Sequence, residues 1–311
     1  ISLRGSWPGV SLIYGITGTL DITNEAMTLG LLNNSELVIT ATLVLTLSGM
    51  LYKLSLVPFH VWTPDVYEAA PTPLVSFLSV APKAAVILVL MRMAAIFPEP
   101  YLLILGGIAV ISITAGNVAA LWQTNARRLL AYSSIAQAGY LLVGLVAYSR
   151  FGFESAVFYT AVYMLINMTS FFLIDLLQPQ SETELKSFSG LGKQQLWIGG
   201  ILTVVMIALA GLPPTAGFTS KLLIFSALWE SYSTEGSRWM LWLLVIGILN
   251  SAVALVYYLR LPYLMFFKDE VPSSKPVNDR MMGKVIGGIL VAAVLAIFFN
   301  PDLLMQWISV F

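Results

Sequence analysis

The chain has 311 residues, of which 58% are hydrophobic and only 10% are charged. Soluble domains carry about 25% charged residues, so this composition excludes a water-soluble globule, and so much apolar surface also excludes a disordered chain. The 16 basic residues equal the 16 acidic residues and form no basic run, which excludes nucleic acid as a partner. The composition therefore predicts a polytopic membrane protein embedded in the lipid bilayer.

About eight segments are apolar over the roughly 20 residues that a helix needs to cross a bilayer, and they predict an all-α fold. Their bounds in the sequence are 37–64, 69–91, 100–126, 129–149, 155–174, 194–229, 239–259 and 285–301. The apolar segment 9–20 is too short to span, and we interpret it as the tail of a helix whose beginning is missing. Because Ile1 is not an initiator methionine and no signal peptide is recognisable, we expect the C-terminal part of a longer protein.

The basic residues are distributed unevenly between the two sides of the predicted membrane domain. Loops that follow the first, third, fifth and seventh spans hold nine lysines and arginines, whereas the opposite side holds four. The positive-inside rule places the side with nine basic residues, including the loops 65–73 and 268–284, in the cytoplasm or its organellar equivalent.

One of the spans is too long for a single continuous transmembrane helix. Residues 194–230 comprise 37 residues, or about 55 Å of helix, against a hydrocarbon core of about 30 Å. Pro213 and Pro214 remove two helical donors in its middle, which predicts a helix broken inside the membrane by an irregular link. Such breaks occur in transporters where ions are handled. The alternative for residues 194–230 is two ordinary helices joined by a tight turn. In the first span, Pro58 predicts a second break.

Three lysines fall inside predicted spans, where each costs about 2.5–3.5 kcal/mol at the bilayer centre. They are Lys53, Lys83 and Lys221, and each lies near a proline that predicts a helix irregularity. The alternative is that they reach the headgroups from helix ends, an explanation that depends for Lys221 on where its helix breaks. Because burial disfavours an ammonium relative to the neutral amine, we interpret all three as proton-transfer residues.

His60 is the only histidine and lies seven residues after Lys53, so the two side chains would share a helical face if the helix continued past Pro58. Histidine titrates near neutral pH, which makes His60 a candidate for proton transfer, with a hydrogen-bonded structural histidine at the membrane edge as the alternative. Polar residues in the uncharged spans could line a water path or form hydrogen bonds between helices. They are Asn117, Ser133, Ser134, Gln137, Tyr140, Tyr163, Asn167, Thr219, Asn250, Ser251 and Tyr257.

Enzyme signatures are absent from the sequence. It contains no glycine-rich nucleotide-binding motif, no H-E-x-x-H metalloprotease motif and no G-x-S-x-G hydrolase motif. With no cysteine and one histidine, the chain also cannot ligate an iron–sulfur cluster or a pair of haems. We therefore expect no cofactor and no metal site in this chain, and any redox chemistry in another subunit.

Four stretches of the sequence form distinctive motifs. The most specific is KLSLVPFHVWTPDVYEAAPTP at 53–73. The others are RRLLAYSSI at 127–135, GLPPTAGFTSK at 211–221 and NSAVALVYYLR at 250–260. Together they resemble the antiporter-like membrane subunit N, or subunit 2, of respiratory complex I, the NADH:quinone oxidoreductase. The resemblance extends from about Ser11 to Phe267.

The resemblance implies a fold of fourteen transmembrane helices, with two five-helix bundles that are related by an inverted repeat and each contain one discontinuous helix. It places the eight predicted spans at the seventh to fourteenth helices of the family, and the breaks near Pro58 and Pro213 on the two discontinuous helices. The implied organisation is an N-terminal segment with the tail of a truncated helix at 1–36, the remainder of the first antiporter-like half at 37–97, the second half at 98–268, and a cytoplasmic loop with the C-terminal helix at 269–311.

The resemblance also implies roles for individual side chains. The family's proton-channel lysines correspond to Lys53, Lys83 and Lys221, and its seventh-helix histidine corresponds to His60. The family's buried glutamate that partners the first channel lysine lies in the early helices, so we expect the first half-channel to be incomplete within this chain. Gln137 stands where many relatives carry histidine, which weakens a histidine relay at that position.

The function implied by the resemblance is proton translocation, as a subunit of an NADH (or ferredoxin):quinone oxidoreductase. NADH, FMN, iron–sulfur clusters and quinone are then expected in partner subunits. The expected partners are the other membrane subunits of complex I, with a chain that supplies the early helices as a further candidate, in a bacterial inner membrane. Two alternatives stay open: a subunit of a multisubunit cation/proton antiporter, and a truncated structural subunit that only braces its neighbours.

Overall fold

The computed structural model describes residues 7–22, 24–94, 99–177, 183–269 and 281–309, and the regular structure of this part of the chain is helical. The helices, numbered in chain order, are α1 (Trp7–Thr17), α2 (Glu25–Leu32), α3 (Glu36–Leu54), α4 (Trp62–Ala69), α5 (Thr72–Leu78), α6 (Ala81–Ala94), α7 (Glu99–Leu121), α8 (Ala126–Val146), α9 (Arg150–Leu177), α10 (Leu191–Gln194), α11 (Leu196–Ala210), α12 (Ala216–Glu235), α13 (Arg238–Phe267), α14 (Met281–Phe299) and α15 (Asp302–Ile308). Most of the predicted loop 269–280 and residues 1–6 lie outside the described residues.

Seven segments of the described chain are long and apolar enough to cross a membrane. Six of them are single helices, and the seventh, Thr72–Ala94, consists of α5 and α6 with a short interruption. The remaining predicted span, 194–229, is divided between α11, which is too short to cross alone, and α12. The segment predicted as a helix tail at 9–20 lies largely within the 11-residue helix α1. The all-helical membrane fold expected from the sequence is confirmed.

The predicted break at the two prolines is present. Helix α11 ends at Ala210, Gly211 adopts a left-handed φ of 83°, and α12 begins at Ala216. The loop before α11 lies beside the end of α13, where the Gly190 amide donates to the Leu264 carbonyl at 3.2 Å. Helix α12 ends beside the start of α13, at the other side of the bundle. The two half-helices therefore cross the membrane as one discontinuous helix, and not as two helices joined by a tight turn.

Two further interruptions lie in the first half of the chain. Helix α3 ends at Leu54, Ser55 adopts a left-handed φ of 62°, and α4 begins only at Trp62. Helix α5 ends at Leu78, and α6 begins at Ala81 with Pro82 in its first turn. The sequence-based expectation that every intramembrane lysine lies close to a helix irregularity is therefore correct.

Loops that follow odd-numbered spans meet at one end of the bundle, which we call the basic face. Arg128 on α8 donates to Asp65 at 2.9 Å and to Glu68 at 2.8 Å, both on α4. Arg260, near the end of α13, donates to the Gln123 carbonyl at 2.9 Å. These contacts join the loops after the first, third and seventh spans, as the alternating topology predicts.

The opposite end of the bundle joins loops that follow even-numbered spans. Arg150 at the start of α9 donates to the carbonyl of Ser309, which follows α15, at 3.4 Å. A Cβ at Gly106, near the start of α7, would come within 2.8 Å of the Trp239 ring at the start of α13. Arg4, Lys275 and Arg280, which contributed to the predicted charge asymmetry, lie outside the described residues.

Helix α8 is the central helix of the bundle, and nearly all of its residues are buried. Small residues allow this packing: a Cβ at Gly116 of α7 would lie 2.6 Å from the Ala136 amide nitrogen of α8. In return, a Cβ at Gly139 of α8 would lie 2.9 Å from the Ala109 carbonyl oxygen of α7. Since α8 is surrounded by other helices, its polar side chains face protein and not lipid.

Gly217 provides a test of the packing across the discontinuous helix. A Cβ at this position would overlap the Ala208 carbonyl of α11, whereas a Cβ at Gly200 would meet nothing within 4 Å. We expect Gly217→Ala to lower the free energy of unfolding by about 1–3 kcal/mol, because overpacking forces the backbones apart. Gly200→Ala should leave it unchanged or raise it by up to about 1 kcal/mol. Thermal unfolding in detergent would measure both, and equal midpoints would contradict the close approach.

Candidate functional site

Two backbone carbonyls at the break lack helical donors. Pro213 and Pro214 have no N–H, so the carbonyls of Leu209 and Ala210, four residues earlier, cannot complete the helical pattern. Side chains supply the missing donors. Lys221 Nζ donates to the Ala210 carbonyl at 2.7 Å, and Gln137 Nε2 donates to the Leu209 carbonyl at 3.0 Å. The break is thus stabilised by two side chains from α12 and α8.

Lys221 is buried in a polar and aromatic environment. Its Nζ also donates to Ser251 Oγ at 2.7 Å and lies 4.9 Å from the centroid of the Tyr140 ring. A Cβ at Gly211 would come within 2.6 Å of Lys221 Cδ, so glycine provides the space that the lysine stem occupies. Within the described residues, no carboxylate forms an ion pair with Lys221.

Lys83 is buried on α6 with only 1% of its surface exposed. Its Nζ donates to both the carbonyl and the hydroxyl oxygen of Ser134 on α8, each at 2.6 Å. The Tyr163 hydroxyl of α9 donates to the same Ser134 Oγ at 2.8 Å. No ion pair reaches Lys83 in the described part of the chain. Like Lys221, it therefore has polar partners without a compensating negative charge.

A small cavity lies beside Lys221, and its volume of about 10 Å³ is near the lower limit for one water molecule. Lys221 lines this cavity directly, and Lys83 reaches it through Ser134 and Tyr163. The complete lining consists of Gln137, Tyr159, Val162, Tyr163, Ile166, Ala208, Leu209, Gly217, Ser220 and Lys221. The structure therefore brings together two of the three predicted lysines.

Gln137 is hydrogen-bonded on both ends of its amide. Its Oε1 accepts from the Tyr159 hydroxyl, and its Nε2 donates to the Tyr258 hydroxyl at 3.1 Å in addition to the Leu209 carbonyl. A neutral amide does not titrate, so this residue orients its partners and does not hold a proton. Neither Tyr159 nor Tyr258 was among the polar residues selected from the sequence, although the second belongs to the YY pair of the 250–260 stretch.

Further polar side chains form hydrogen bonds between α7 and α13. Asn250, next to Ser251, receives a hydrogen bond at its Oδ1 from Asn117 Nδ2 at 3.3 Å. The Tyr257 hydroxyl donates to Asn117 Oδ1 at 2.9 Å. Asn117 and Tyr257 lie toward the ends of α7 and α13 that form the basic face. Asn117, Asn250 and Tyr257, which were predicted as polar residues of the spans, therefore form interhelical hydrogen bonds with one another.

The structure does not join Lys53 and His60 to this group. Lys53 is half-buried and makes no hydrogen bond or ion pair within the described residues. Because α3 ends at Leu54, the helix does not continue past Pro58, and the condition under which Lys53 and His60 would share a helical face is not met. His60 lies in the link before α4, and its Nδ1 is buried without a hydrogen-bond partner among the described residues.

Arg127 is a buried residue that the sequence indicated only as a loop charge. It is 1% exposed, and it donates to the Ala70 carbonyl at 3.1 Å and to the Thr72 hydroxyl. Its ion pair with Asp175 spans 3.4 Å, and the Asp175 side chain is 46% exposed, as expected for an interfacial carboxylate. Arg127 thereby holds the ends of α4, α5 and α9 together at the basic face.

Comparison with known proteins extends these observations. The family model described as NADH:quinone oxidoreductase/Mrp antiporter, transmembrane, matches residues 8–251. NADH-quinone oxidoreductase subunit N of Chlorobium chlorochromatii is 40% identical over 311 residues, which cover 94% of this chain and 60% of the relative. The chain thus spans about 60% of the length of this relative.

Solved structures agree with the sequence relatives. A chain of respiratory complex I from Thermus thermophilus, 31% identical, superimposes with a TM-score of 0.82 over 98% of this chain and 65% of that chain. A chain of the Mrp complex from Dietzia sp. DQ12-45-1b shares the fold, with 19% identity and a TM-score of 0.84 over 99% of this chain and 64% of that chain. The expected resemblance to subunit N is confirmed. The chain is an integral membrane protein that belongs to the NADH:quinone oxidoreductase/Mrp antiporter transmembrane family.

Proposed function

We propose that this chain translocates protons as a membrane subunit of an NADH (or ferredoxin):quinone oxidoreductase. The observation that carries the proposal is the pair of buried lysines, Lys83 and Lys221, which have no carboxylate partner in the described residues. Lys83 donates to the Ser134 hydroxyl, which also accepts from Tyr163, and Tyr163 lines a water-sized cavity together with Lys221. The subunit N relatives support coupling of this proton movement to quinone reduction in another subunit.

The surroundings of each lysine suit a group that alternates between two protonation states. Carbonyl and hydroxyl oxygens accept hydrogen bonds from an ammonium and also from a neutral amine, so Lys83 and Lys221 keep their positions in both states. A buried ammonium without an anion is expensive, which favours release of its proton. Two ammonium groups would also repel each other strongly in a low dielectric. Loading one lysine therefore favours unloading of the other.

Lys53, Lys83 and His60 are proposed as proton-transfer residues of the first antiporter-like half, 37–97, and Lys221 is proposed as the proton-transfer residue of the second half, 98–268. The half-buried, unpaired Lys53 suits a site whose negative partner comes from another segment, such as the buried glutamate of the family's early helices. His60, with its buried Nδ1 free among the described residues, would exchange protons near the basic face.

The redox cofactors are proposed to lie in partner subunits. The chain has no cysteine and one histidine, so its side chains suit proton transfer and not electron transfer. NADH, FMN, iron–sulfur clusters and quinone would be held by the other subunits of the complex. We further propose that the basic face is cytoplasmic in a bacterial inner membrane, because the positive-inside rule favours that orientation.

A cation/proton antiporter is the second candidate, and the shared fold with the Mrp complex favours it. The 40% identity with a subunit N supports the oxidoreductase more strongly. Gentle purification from the source membrane followed by native mass spectrometry distinguishes them. Flavin-containing and iron–sulfur subunits in the same particle support the oxidoreductase, whereas a particle of antiporter-like chains alone would contradict it.

Methionine substitutions test the two lysines, because methionine resembles lysine in length but cannot hold a proton. In the assembled complex in proteoliposomes, Lys83→Met and Lys221→Met should each reduce proton translocation by about tenfold or more, since acid–base groups contribute about 10²–10⁴-fold to proton transfer. Lys193→Met is the matched control, because Lys193 is exposed and pairs with Asp269 at 3.6 Å. Unchanged translocation in both buried-lysine variants would indicate a structural subunit.

Cysteine labelling tests the proposed orientation. The chain has no cysteine, so single cysteines at the exposed positions Lys193 and Glu235, which lie on opposite faces, would be the only labelled sites within it. A membrane-impermeant maleimide should label Lys193→Cys only in inside-out vesicles and Glu235→Cys only in right-side-out vesicles. The reverse pattern would place the basic face outside.

A further inference from the structure

The connection between Lys83 and Lys221 includes two hydroxyl groups, those of Ser134 and Tyr163. Ser134 Oγ accepts hydrogen bonds from Lys83 Nζ at 2.6 Å and from the Tyr163 hydroxyl at 2.8 Å. Tyr163 also lines the cavity that Lys221 lines. Tyr163 is therefore linked to Lys83 through Ser134, and it shares the cavity with Lys221.

The other polar side chains of the cavity are committed elsewhere. The Tyr159 hydroxyl donates to Gln137, whose amide cannot pass a proton on. The Ser220 hydroxyl donates to the Ala216 carbonyl of its own helix at 2.8 Å. Among the cavity's lining residues, Tyr163 is thus the hydroxyl that reaches the Lys83 side.

The hydrogen bonds in the structure describe a closed connection. Because Tyr163 donates to Ser134 Oγ, its hydroxyl proton is engaged with Ser134 and is not donated to Lys221. The side chain is only 3% exposed, and its ring is enclosed by neighbouring helices. The O–H bond can still rotate about the ring axis without any movement of the ring. This rotation would turn the proton into the cavity and free the Tyr163 oxygen to accept from Ser134.

We propose that Tyr163 is a proton-relay residue whose hydroxyl rotation opens and closes transfer between Lys83 and Lys221. The proposal rests on the proposed function and deepens it, because it names the group that controls passage between the two lysines.

The transfer conserves protons and charge at each step. In the open orientation, the Lys83 ammonium gives a proton to Ser134 Oγ as Ser134 gives its hydroxyl proton to Tyr163. Tyr163 gives its own proton to a water in the cavity, and that water gives one to the neutral Lys221 amine. Lys83 ends as an amine and Lys221 as an ammonium, while both hydroxyls and the water are restored. Rotation of the Ser134 and Tyr163 hydroxyls then resets the closed orientation.

Removal of a single oxygen atom tests the relay. Tyr163→Phe keeps the buried ring, so we expect normal assembly but proton translocation per NADH oxidised reduced by about tenfold or more, close to Lys83→Met. Tyr101→Phe is the matched control, since Tyr101 is buried and its hydroxyl bonds to Thr40 at 2.9 Å, away from both lysines. If Tyr163 had only a structural role, Tyr163→Phe would lower the unfolding temperature, as Tyr101→Phe would. The number of protons translocated per NADH oxidised would then be the same in the two variants.

Ser134 provides a second pair of variants, which decides the question even if Tyr163→Phe does not assemble. Ser134→Thr retains the hydroxyl and should translocate protons, whereas Ser134→Ala should resemble Tyr163→Phe. The relay is wrong if Tyr163→Phe or Ser134→Ala translocates protons as well as Tyr101→Phe does, while Lys83→Met and Lys221→Met do not translocate protons. In that case the proposed function still stands. If the lysine variants pump normally, the relay and the proposed function are both wrong.

Discussion

The structure depends on how the discontinuous helix obtains hydrogen-bond donors for two backbone carbonyls that precede two consecutive prolines. Pro213 and Pro214 leave the Leu209 and Ala210 carbonyls without helical donors, at a depth where bulk water cannot replace them. Lys221 supplies one donor and a side chain of the neighbouring helix supplies the other. The costly lysine is therefore also a structural cap. The cap is available in either protonation state, because a neutral amine also donates hydrogen bonds.

Helix α8 contacts the surroundings of both lysines, because it is enclosed by other helices and carries polar side chains that face them. Ser134 bonds to Lys83, and Gln137 bonds to the same half-helix as Lys221. These two positions are three residues apart, so they lie on neighbouring parts of one helical surface. One central helix therefore contacts both Lys83 and the half-helix that Lys221 caps.

Several features of the fold and the site follow from local patterns in the amino-acid sequence. The prolines predicted both breaks, the cost of buried charge selected the lysines, and the alternation of the spans predicted which loops meet. Other features have no local signal. Arg127 resembles an ordinary loop charge in the sequence, and only the approach of three helix ends buries it.

The sequence by itself determined the membrane environment, the number of spans, the discontinuous helices and the intramembrane lysines. Each follows from a local property: apolar length, missing N–H groups or the cost of a charge in lipid. The tertiary structure decided which of these groups cooperate. Lys83 and Lys221 are 138 positions apart in the sequence, and no local pattern relates them. Their connection through Ser134, Tyr163 and a water-sized cavity exists only because α6, α8, α9 and the broken helix pack against one another.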